Sequence, residues 1–371
     1  MQRSRGRAAS PGRTSSAVKT LLRMLFALAA LGCAAVLAGC GDSGGGGQGT
    51  ATAGGRAVES DTVVFADYGG TTRKARAQAF LEPFAKAEGV RPVSADADPA
   101  KLALFGENKR ADWDLIDMDG WDVDRFMREG LLERLPADVT RAELVPERYR
   151  DYASGGYNAI TGVGYASDRG DAPRSWRDFF DTDRFPGKRA LPNFPYFQVE
   201  AALLADGVSC DRLYPLDFER GFAKLDAIRD DVLFYDSFGQ GVQYLAQGSV
   251  AQVLVPNSRI AVLAEQGLSV GFMWDEGFFT WTAAAVPRYA PHDDAAFALV
   301  DAMSQPEAQA QFSRLTKYGP MNPAALRLID RETREQLPNA HLDVACKIDD
   351  AGLARDLPEY SRRYERWLAQ G

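Results

Sequence analysis

The chain has 371 residues, 46% of them hydrophobic and 25% charged, an ordinary globular composition with enough length for two domains. Its 43 Lys and Arg stand against 51 Asp and Glu, a net charge of −8. An acidic surface without clustered basic residues argues against nucleic acid, whose phosphates need Lys and Arg, and mildly favours a cationic solute.

The first segment is not part of the globular body. Arg3, Arg5, Arg7, Arg13, Lys19 and Arg23 precede an apolar run from Met24 to Val36 that ends in Leu37-Ala38-Gly39-Cys40. A basic stretch, an apolar stretch and small residues at a cleavage site predict a removable export signal over 1–39. A membrane-spanning helix needs about 20 apolar residues, and this run is shorter and followed by glycines and Asp42. Leu37-Ala38-Gly39-Cys40 resembles the lipobox of bacterial lipoproteins, which implies cleavage before Cys40 and acyl chains that hold the protein to a membrane. An ordinary secretory signal is the alternative. Residues 40–60, mostly Gly, Ser, Thr and Ala, have too little apolar surface to fold and predict a flexible tether. Without 1–39 the balance becomes 37 basic against 51 acidic residues, a net of −14.

The body reads as strands alternating with helices. Thr62 to Ala66 is a strand, Thr71 caps a helix running to about Glu88 with Ala75, Ala79, Phe80 and Phe84 on one face, and Val90 to Val93 is the next strand. Asp114 to Met118 is a strand followed by a loop Asp119-Gly120-Trp121 and a helix from Val123 to Glu129. Further strands are predicted at Ile160 to Ala166, Val232 to Tyr235, Val250 to Val255 and Val270 to Met273. Helices are predicted at Trp176 to Phe180 behind Ser175, Val199 to Asp206, Pro215 to Arg229, Val242 to Gln247, and Arg259 to Gln266 behind Ser258. This alternation predicts an α/β fold with mixed sheets. Cys210 and Cys346 are an even pair that can close a disulfide in an oxidising compartment or remain two buried thiols; spacing alone does not choose.

Motifs of enzyme chemistry are weak. His292 and His341 have no partner at metal-ligand spacing. Asp117-Met118-Asp119-Gly120 has the glycine of a calcium loop, but Leu115 and Phe126 fall where its first and last ligands belong. Gly162-Val163-Gly164-Tyr165 lacks the third glycine of a dinucleotide fingerprint, and there is no Gly-x-Ser-x-Gly elbow. Neither a cofactor nor a metal is expected, and a hydrolase that hides its carboxylates among many acids is a minor alternative.

Several blocks occur in a telling order: Phe65-Ala66-Asp67-Tyr68-Gly69-Gly70, Trp113-Asp114-Leu115-Ile116-Asp117, Ser175-Trp176-Arg177-Asp178-Phe179-Phe180, Trp274-Asp275-Glu276-Gly277 and Tyr318-Gly319-Pro320-Met321-Asn322-Pro323. Together they resemble the extracellular solute-binding proteins of ABC transporters, in the cluster that contains the spermidine and putrescine binders. The resemblance implies a two-lobed fold of the type II periplasmic-binding-protein kind, with mixed sheets flanked by helices and the ligand in a cleft between lobes. The first lobe is expected over 61–164 and 284–322, the second over 165–283 and 323–371. Crossings are expected near Val163 to Tyr165 and Thr282 to Val286, with a third near Asn322 to Ala325. It also implies hinge closure on a small organic solute, docking of a monomer on membrane permease subunits, and a place in the cell envelope, periplasmic or on the outer face of the cytoplasmic membrane. A sensor that hands its closed form to a receptor would use the same fold.

Open α/β sheets bind ligands at the carboxyl ends of their strands. Candidates there are Tyr68, Asp119, Trp121, Phe194, Tyr196, Tyr235, Asp236, Asn257, Trp274, Glu276, Phe278 and Trp281. Aromatic faces attract alkylammonium groups, and a carboxylate fixes a charged nitrogen; core packing competes for each aromatic and a plain turn for Glu276. The chain departs from the polyamine binders in two places. Ala283 stands where they carry an Asp two residues after an aromatic, and Asn193 to Phe197 replaces an expected acidic pair. The solute is therefore a polyamine held by other acids, or a less charged amine, an amino-acid derivative or an opine-like compound.

Overall fold

The computed structural model describes residues 52–53 and 56–370. The predicted signal, Cys40 and most of the tether lie outside the described residues. Strands β1 (Thr52–Ala53) and β2 (Arg56–Ala57) form a short antiparallel pair ahead of the body.

The body begins with β3 (Thr62–Asp67), after which Gly69, at φ 72°, turns the chain into α1 (Gly70–Arg76). The cap position is Gly69 and not Thr71. Helix α1 passes through a π turn (Ala77–Leu81) into α2 (Glu82–Glu88), and the predicted face of Ala75, Ala79, Phe80 and Phe84 is buried. There follow β4 (Arg91–Asp96), α3 (Lys101–Asn108), β5 (Leu115–Asp119) and α4 (Gly120–Arg128). Asp119-Gly120-Trp121 is therefore the end of a strand and the first turn of a helix instead of a loop. Glycine is required at its first position, because Trp281 and the Asp350 carboxylate press on Gly120 and leave no room for a Cβ.

Next come β6 (Ala153–Ala166), α5 (Trp176–Phe180), β7 (Arg189–Pro192), α6 (Gln198–Ala205), α7 (Phe218–Asp226), β8 (Val232–Tyr235), α8 (Phe238–Ala246) and β9 (Gln252–Pro256). Ser175 caps α5 by accepting the Asp178 amide, as its sequence position predicts. Helix α9 (Asn257–Glu265) starts directly after Pro256, so Ser258 lies inside it and does not cap it. The chain closes with β10 (Val270–Ala285), α10 (Asp293–Ser304), α11 (Pro306–Thr316), β11 (Gly319–Pro320), α12 (Arg331–Glu335), β12 (Cys346–Lys347) and α13 (Asp350–Leu368). The strand predicted to stop at Met273 runs on to Ala285. Its register against β6 shifts between Met273 and Phe278, where Glu276 adopts φ 58°, so Trp274 to Gly277 forms an irregularity within one strand.

The main sheet has the order β4-β3-β5-β10-β6-β9-β7-β8. Strand β3 pairs in parallel with β4 and β5, and β7 pairs in parallel with β8 and β9. Between these flanks lie β6 and β10, antiparallel to each other over most of their length. Together they connect the flanks: β10 joins β5 through Thr282 to Ala285, and β6 joins β9 through Thr161 to Tyr165. The change of pairing partner falls at about Asn158 to Thr161 on β6 and Phe278 to Thr282 on β10.

The buried apolar side chains group accordingly. Val63, Phe65, Phe80, Leu115, Ile116, Phe126, Leu299 and Phe312 pack about the first flank. Trp176, Phe179, Leu203, Leu225, Leu254, Phe278, Tyr360 and Tyr364 pack about the second. Helix α13 is thus part of the second core although it ends the described chain. A disulfide joins Cys210, before α7, to Cys346 of β12 with 5.6 Å between Cα atoms, across 136 residues of sequence. Strand β12 pairs in parallel with β10 at Phe278 and Phe279, so the bond ties the closing segment to the second core beside the flank change. Cross-linking so long a loop restricts the unfolded chain. Replacing both cysteines by Ser should lower unfolding free energy by about 2–5 kcal/mol in urea titrations, and thiol labelling of the unfolded, unreduced protein should modify neither.

Candidate functional site

The strand register decides where a site can form. Asp119, the last residue of β5, pairs with Thr282, and Pro256, the last of β9, pairs with Thr161. Thr282 and Thr161 in turn pair with Tyr157 and Phe278 at the middle of the β6–β10 ribbon. The carboxyl ends of both parallel flanks therefore converge on one place, where open α/β sheets hold ligands. A cavity of about 320 Å³ lies there. It is small for a ligand pocket, matching a solute of modest size.

The first flank supplies Tyr68, Gly69 and Thr72 from the turn into α1, and Asp119 and Trp121 from the turn into α4. The second supplies Phe194 and Tyr196 after β7, Phe238 after β8, and Pro256 and Arg259 after β9. The shared strands provide Tyr157, Ala159, Thr280 and Thr282, and Tyr318 follows α11. Five sequence-derived candidates meet here: Tyr68, Asp119, Trp121, Phe194 and Tyr196. Tyr68 is 45% exposed and lines the cavity.

The walls are aromatic and locked by packing. Tyr157 stacks on Tyr318 at 4.5 Å, Tyr196 packs on Phe238 at 5.0 Å, and Trp121 meets Phe197 edge-on at 5.8 Å, joining the two flanks across the cavity. The Tyr196 and Thr161 hydroxyls lie 2.9 Å apart. Asp119 accepts the Thr282 hydroxyl at 2.7 Å. Burial pushes the Asp119 carboxyl up to about 7, with Asp122 adding to the rise while the hydroxyls of Thr282 and Tyr68 oppose it. Burial likewise raises Asp122 to about 6 against the pull of Arg125. The Tyr68 hydroxyl is held far above its ordinary value by burial and then by Asp119, Asp122 and Asp117. Arg259, in the first turn of α9, brings the opposite charge to the same cavity and lies 6.0 Å over the Phe238 ring. The cavity thus joins one carboxylate and one guanidinium through aromatic surface.

The other candidates lie elsewhere, each for a definable reason. Tyr235 is buried behind the wall, its hydroxyl donating to the Leu254 carbonyl at 2.6 Å. Asp236 is exposed and accepts the Asn193 side chain. Asn257 is consumed structurally, accepting the Ile160 amide at 3.2 Å and donating to the Lys317 carbonyl at 2.8 Å. Trp274 stacks on His341 at 3.9 Å and lines a groove of about 350 Å³ on the outer flank of α9. The Glu276 backbone carbonyl accepts the Trp176 indole at 2.8 Å, and Phe278 stacks on Trp176 in the core. Trp281 is buried with its indole nitrogen on Asp350 at 3.0 Å. Another groove, of about 690 Å³ between α4 and α13, has Arg125, Arg128 and Arg355 each paired to a neighbouring acid.

Sequence reasoning missed Thr72, Tyr157, Ala159, Phe238, Arg259, Thr280, Thr282 and Tyr318. Arg259 and Phe238 were within reach, because each opens a helix just after a strand. Tyr157, Ala159, Thr280 and Thr282 sit in mid-strand, where no local pattern distinguishes a cavity wall from core.

A parallel flank on each side of a shared ribbon, with an aromatic cavity where their carboxyl ends meet, defines a binding protein that takes a solute between two lobes. The chain belongs to the bacterial extracellular solute-binding protein family, whose profile matches residues 79–339. It is 30% identical over 327 residues to the gamma-aminobutyric acid-binding protein of Pseudomonas aeruginosa, covering 84% of this chain and 92% of that one. The spermidine/putrescine-binding periplasmic protein of Escherichia coli is 22% identical over 269 residues, covering 68% and 76%. Among solved structures, a GABA receptor superposes with a TM-score of 0.79 at 31% identity, covering 84% of this chain and 98% of that one. The protein is a solute-binding protein of ABC transporters with the two-lobed α/β fold. No helix among the described residues is long and apolar enough to cross a membrane.

The separation of wall from core has a direct test. Tyr235→Phe should cost about 1–3 kcal/mol of stability through the lost hydrogen bond and leave solute affinity within about twofold, whereas Trp121→Ala should abolish the solute-induced rise in melting temperature.

Proposed function

We propose that this protein captures a small zwitterionic amino acid whose amine and carboxylate lie at opposite ends, of the γ-aminobutyric acid kind, and delivers it unchanged to an ABC permease. The observation that carries this reading is Asp119 and Arg259 lining one aromatic cavity. A solute charge taken into an enclosed site costs several kcal/mol unless a group of opposite sign faces it. One acid and one guanidinium match one ammonium and one carboxylate. Helices α8 and α9 begin at the cavity, and their amino ends favour an anion beside Arg259. A polyamine carries two or more ammonium groups, and Asp119 is the single carboxylate among the lining residues. Ala283 and the Asn193 to Phe197 segment, where polyamine binders place further acids, add none. The relative named for gamma-aminobutyric acid favours the same solute.

In this reading the lobes are the two flanks, 61–164 with 284–322 and 165–283 with 323–371, adjusted to the strand exchange near Asn158 to Thr161 and Phe278 to Thr282. Trp121 and Asp119 from one lobe and Arg259, Phe194 and Tyr196 from the other contact a single solute, so its binding favours the closed form that a permease recognises. Acylation of Cys40 would keep the body near the membrane, and Cys40→Ser should abolish incorporation of labelled palmitate in the native host.

Isothermal titration against γ-aminobutyric acid, putrescine and spermidine tests the solute. γ-Aminobutyric acid should bind and the polyamines should not; tight spermidine binding overturns the assignment. Asp119→Asn and Arg259→Met should each weaken binding by at least about tenfold, by removing a charge partner worth more than about 1.4 kcal/mol. The Asp119 carboxyl must be ionised to hold an ammonium and titrates at about 7. Affinity should therefore level off above pH 8 and fall as pH drops through 7, by up to about tenfold per pH unit; Asp119→Asn should flatten that dependence.

A further inference from the structure

The cavity wall after β7 is built on an awkward stretch of backbone. Asn193 to Phe197 joins β7 to α6 and presents Phe194 and Tyr196 to the cavity. It ends at Phe197 with φ 66°, a left-handed conformation that a bulky residue adopts only when its surroundings force it. Phe197 is 2% exposed and wedged between Phe278 at 5.0 Å and Trp121 at 5.8 Å. The next residue, Gln198, is fully buried at 0% exposure and does not itself line the cavity.

Its side-chain amide holds the segment from both sides. The Gln198 amide nitrogen donates to the Pro192 carbonyl at 3.0 Å and to the Phe194 carbonyl at 2.7 Å. Its oxygen accepts the Tyr196 amide at 2.6 Å and the Tyr360 hydroxyl at 2.7 Å. Two donors and two acceptor positions are all that a glutamine side chain offers, and all four are used. From the last helix, Tyr360 also accepts the Val199 amide at 3.0 Å, and Tyr364 donates to the Pro192 carbonyl at 2.6 Å. Glutamate in this place would set an anion against two carbonyl oxygens, and leucine would take this partner from the Phe194 carbonyl, the Tyr196 amide and the Tyr360 hydroxyl while Pro192 kept only Tyr364.

We propose that Gln198 is a positioning residue for solute binding: it fixes the Asn193 to Phe197 turn, and through it the rings of Phe194 and Tyr196, in the arrangement the solute meets. A wall set in advance spares the binding step the cost of ordering it, so loosening the turn divides apparent affinity by the fraction of molecules with the wall in place. Helix α13 is then a brace of the binding site although none of its residues lines the cavity.

The inference rests on this cavity being the solute site, and its test separates the two. The ligand-free full-length mature protein and its Gln198→Leu and Tyr360→Phe variants are compared by amide hydrogen exchange over 193–198, and binding of γ-aminobutyric acid is titrated. Exchange in this segment should speed up at least about tenfold in Gln198→Leu and less in Tyr360→Phe, with affinity falling in the same order. Gln198→Glu adds a readout that a purely structural role would not move. As pH falls from 8 to 5.5 its affinity relative to the parent should recover, because a protonated carboxyl regains a donor for one of the two carbonyls. Unchanged exchange, or faster exchange with affinity within twofold of the parent, overturns the proposal. If Gln198→Leu fails to fold, Tyr360→Phe and Gln198→Glu decide alone. A parent protein that ignores γ-aminobutyric acid refutes the solute assignment, and the exchange comparison still decides what Gln198 holds.

Discussion

The pairing of β6 with β10 is the constraint on which the rest depends. Each strand is long, and β10 pairs with the β3–β5 side through its carboxyl end while β6 pairs with the β7–β9 side through its own. Because the two run antiparallel, the carboxyl ends of β5 and β9 arrive from opposite directions at the same central stretch. A cavity at that point needs no further device to gather residues from distant parts of the chain. Gly156, at φ 74° and pressed against the Thr282 backbone, shows how closely the ribbon is packed: any side chain there would part the strands at the register shift between Thr282 and Ala284.

Electrostatics then restrict what the cavity accepts. Burying Asp119 raises its pKa toward neutrality, because the charged carboxylate loses solvation there. In the proposed reading a solute ammonium offsets that cost beside Asp119, and a solute carboxylate lies toward Arg259. Aromatic rings between them exclude water and offer broad contact without further charge. Under the proposed assignment a dication is disfavoured, because it would bring a second ammonium toward the guanidinium. Specificity of this kind depends on mismatched partners being penalised as much as on the right one being rewarded.

Rigidity is distributed unevenly around the cavity. On the second side the wall is tied through Gln198 to α13, and α13 follows a strand pinned by the Cys210–Cys346 disulfide. On the first side α4 starts against Trp281, whose indole is held by Asp350 at the beginning of α13. The last helix therefore touches the supports of both walls. Its tyrosines are internal struts, although an amphipathic helix at the end of a chain reads locally as a surface element.

The sequence by itself determined the fold class, the family and much of the local structure, because these depend on near neighbours. Ser175 capping α5, Gly89 ending α2 and the buried face of Ala75, Ala79, Phe80 and Phe84 follow from spacing that any window along the chain contains. It also placed Tyr68, Asp119, Trp121, Phe194 and Tyr196 at strand ends, where they meet in one cavity. Tertiary structure alone decided which strand ends face each other. Tyr235 and Trp281 are aromatics of the same kind as Tyr196 and Trp121, yet hydrogen bonds to Leu254 and Asp350 hold them in the core. Thr280, Thr282 and Tyr157 became cavity wall because of strand register, a relation between residues more than 100 positions apart. Arg259 gained its importance only when the fold brought it into the cavity that holds Asp119. Charge complementarity is a property of two residues in space, and a linear pattern carries only one at a time.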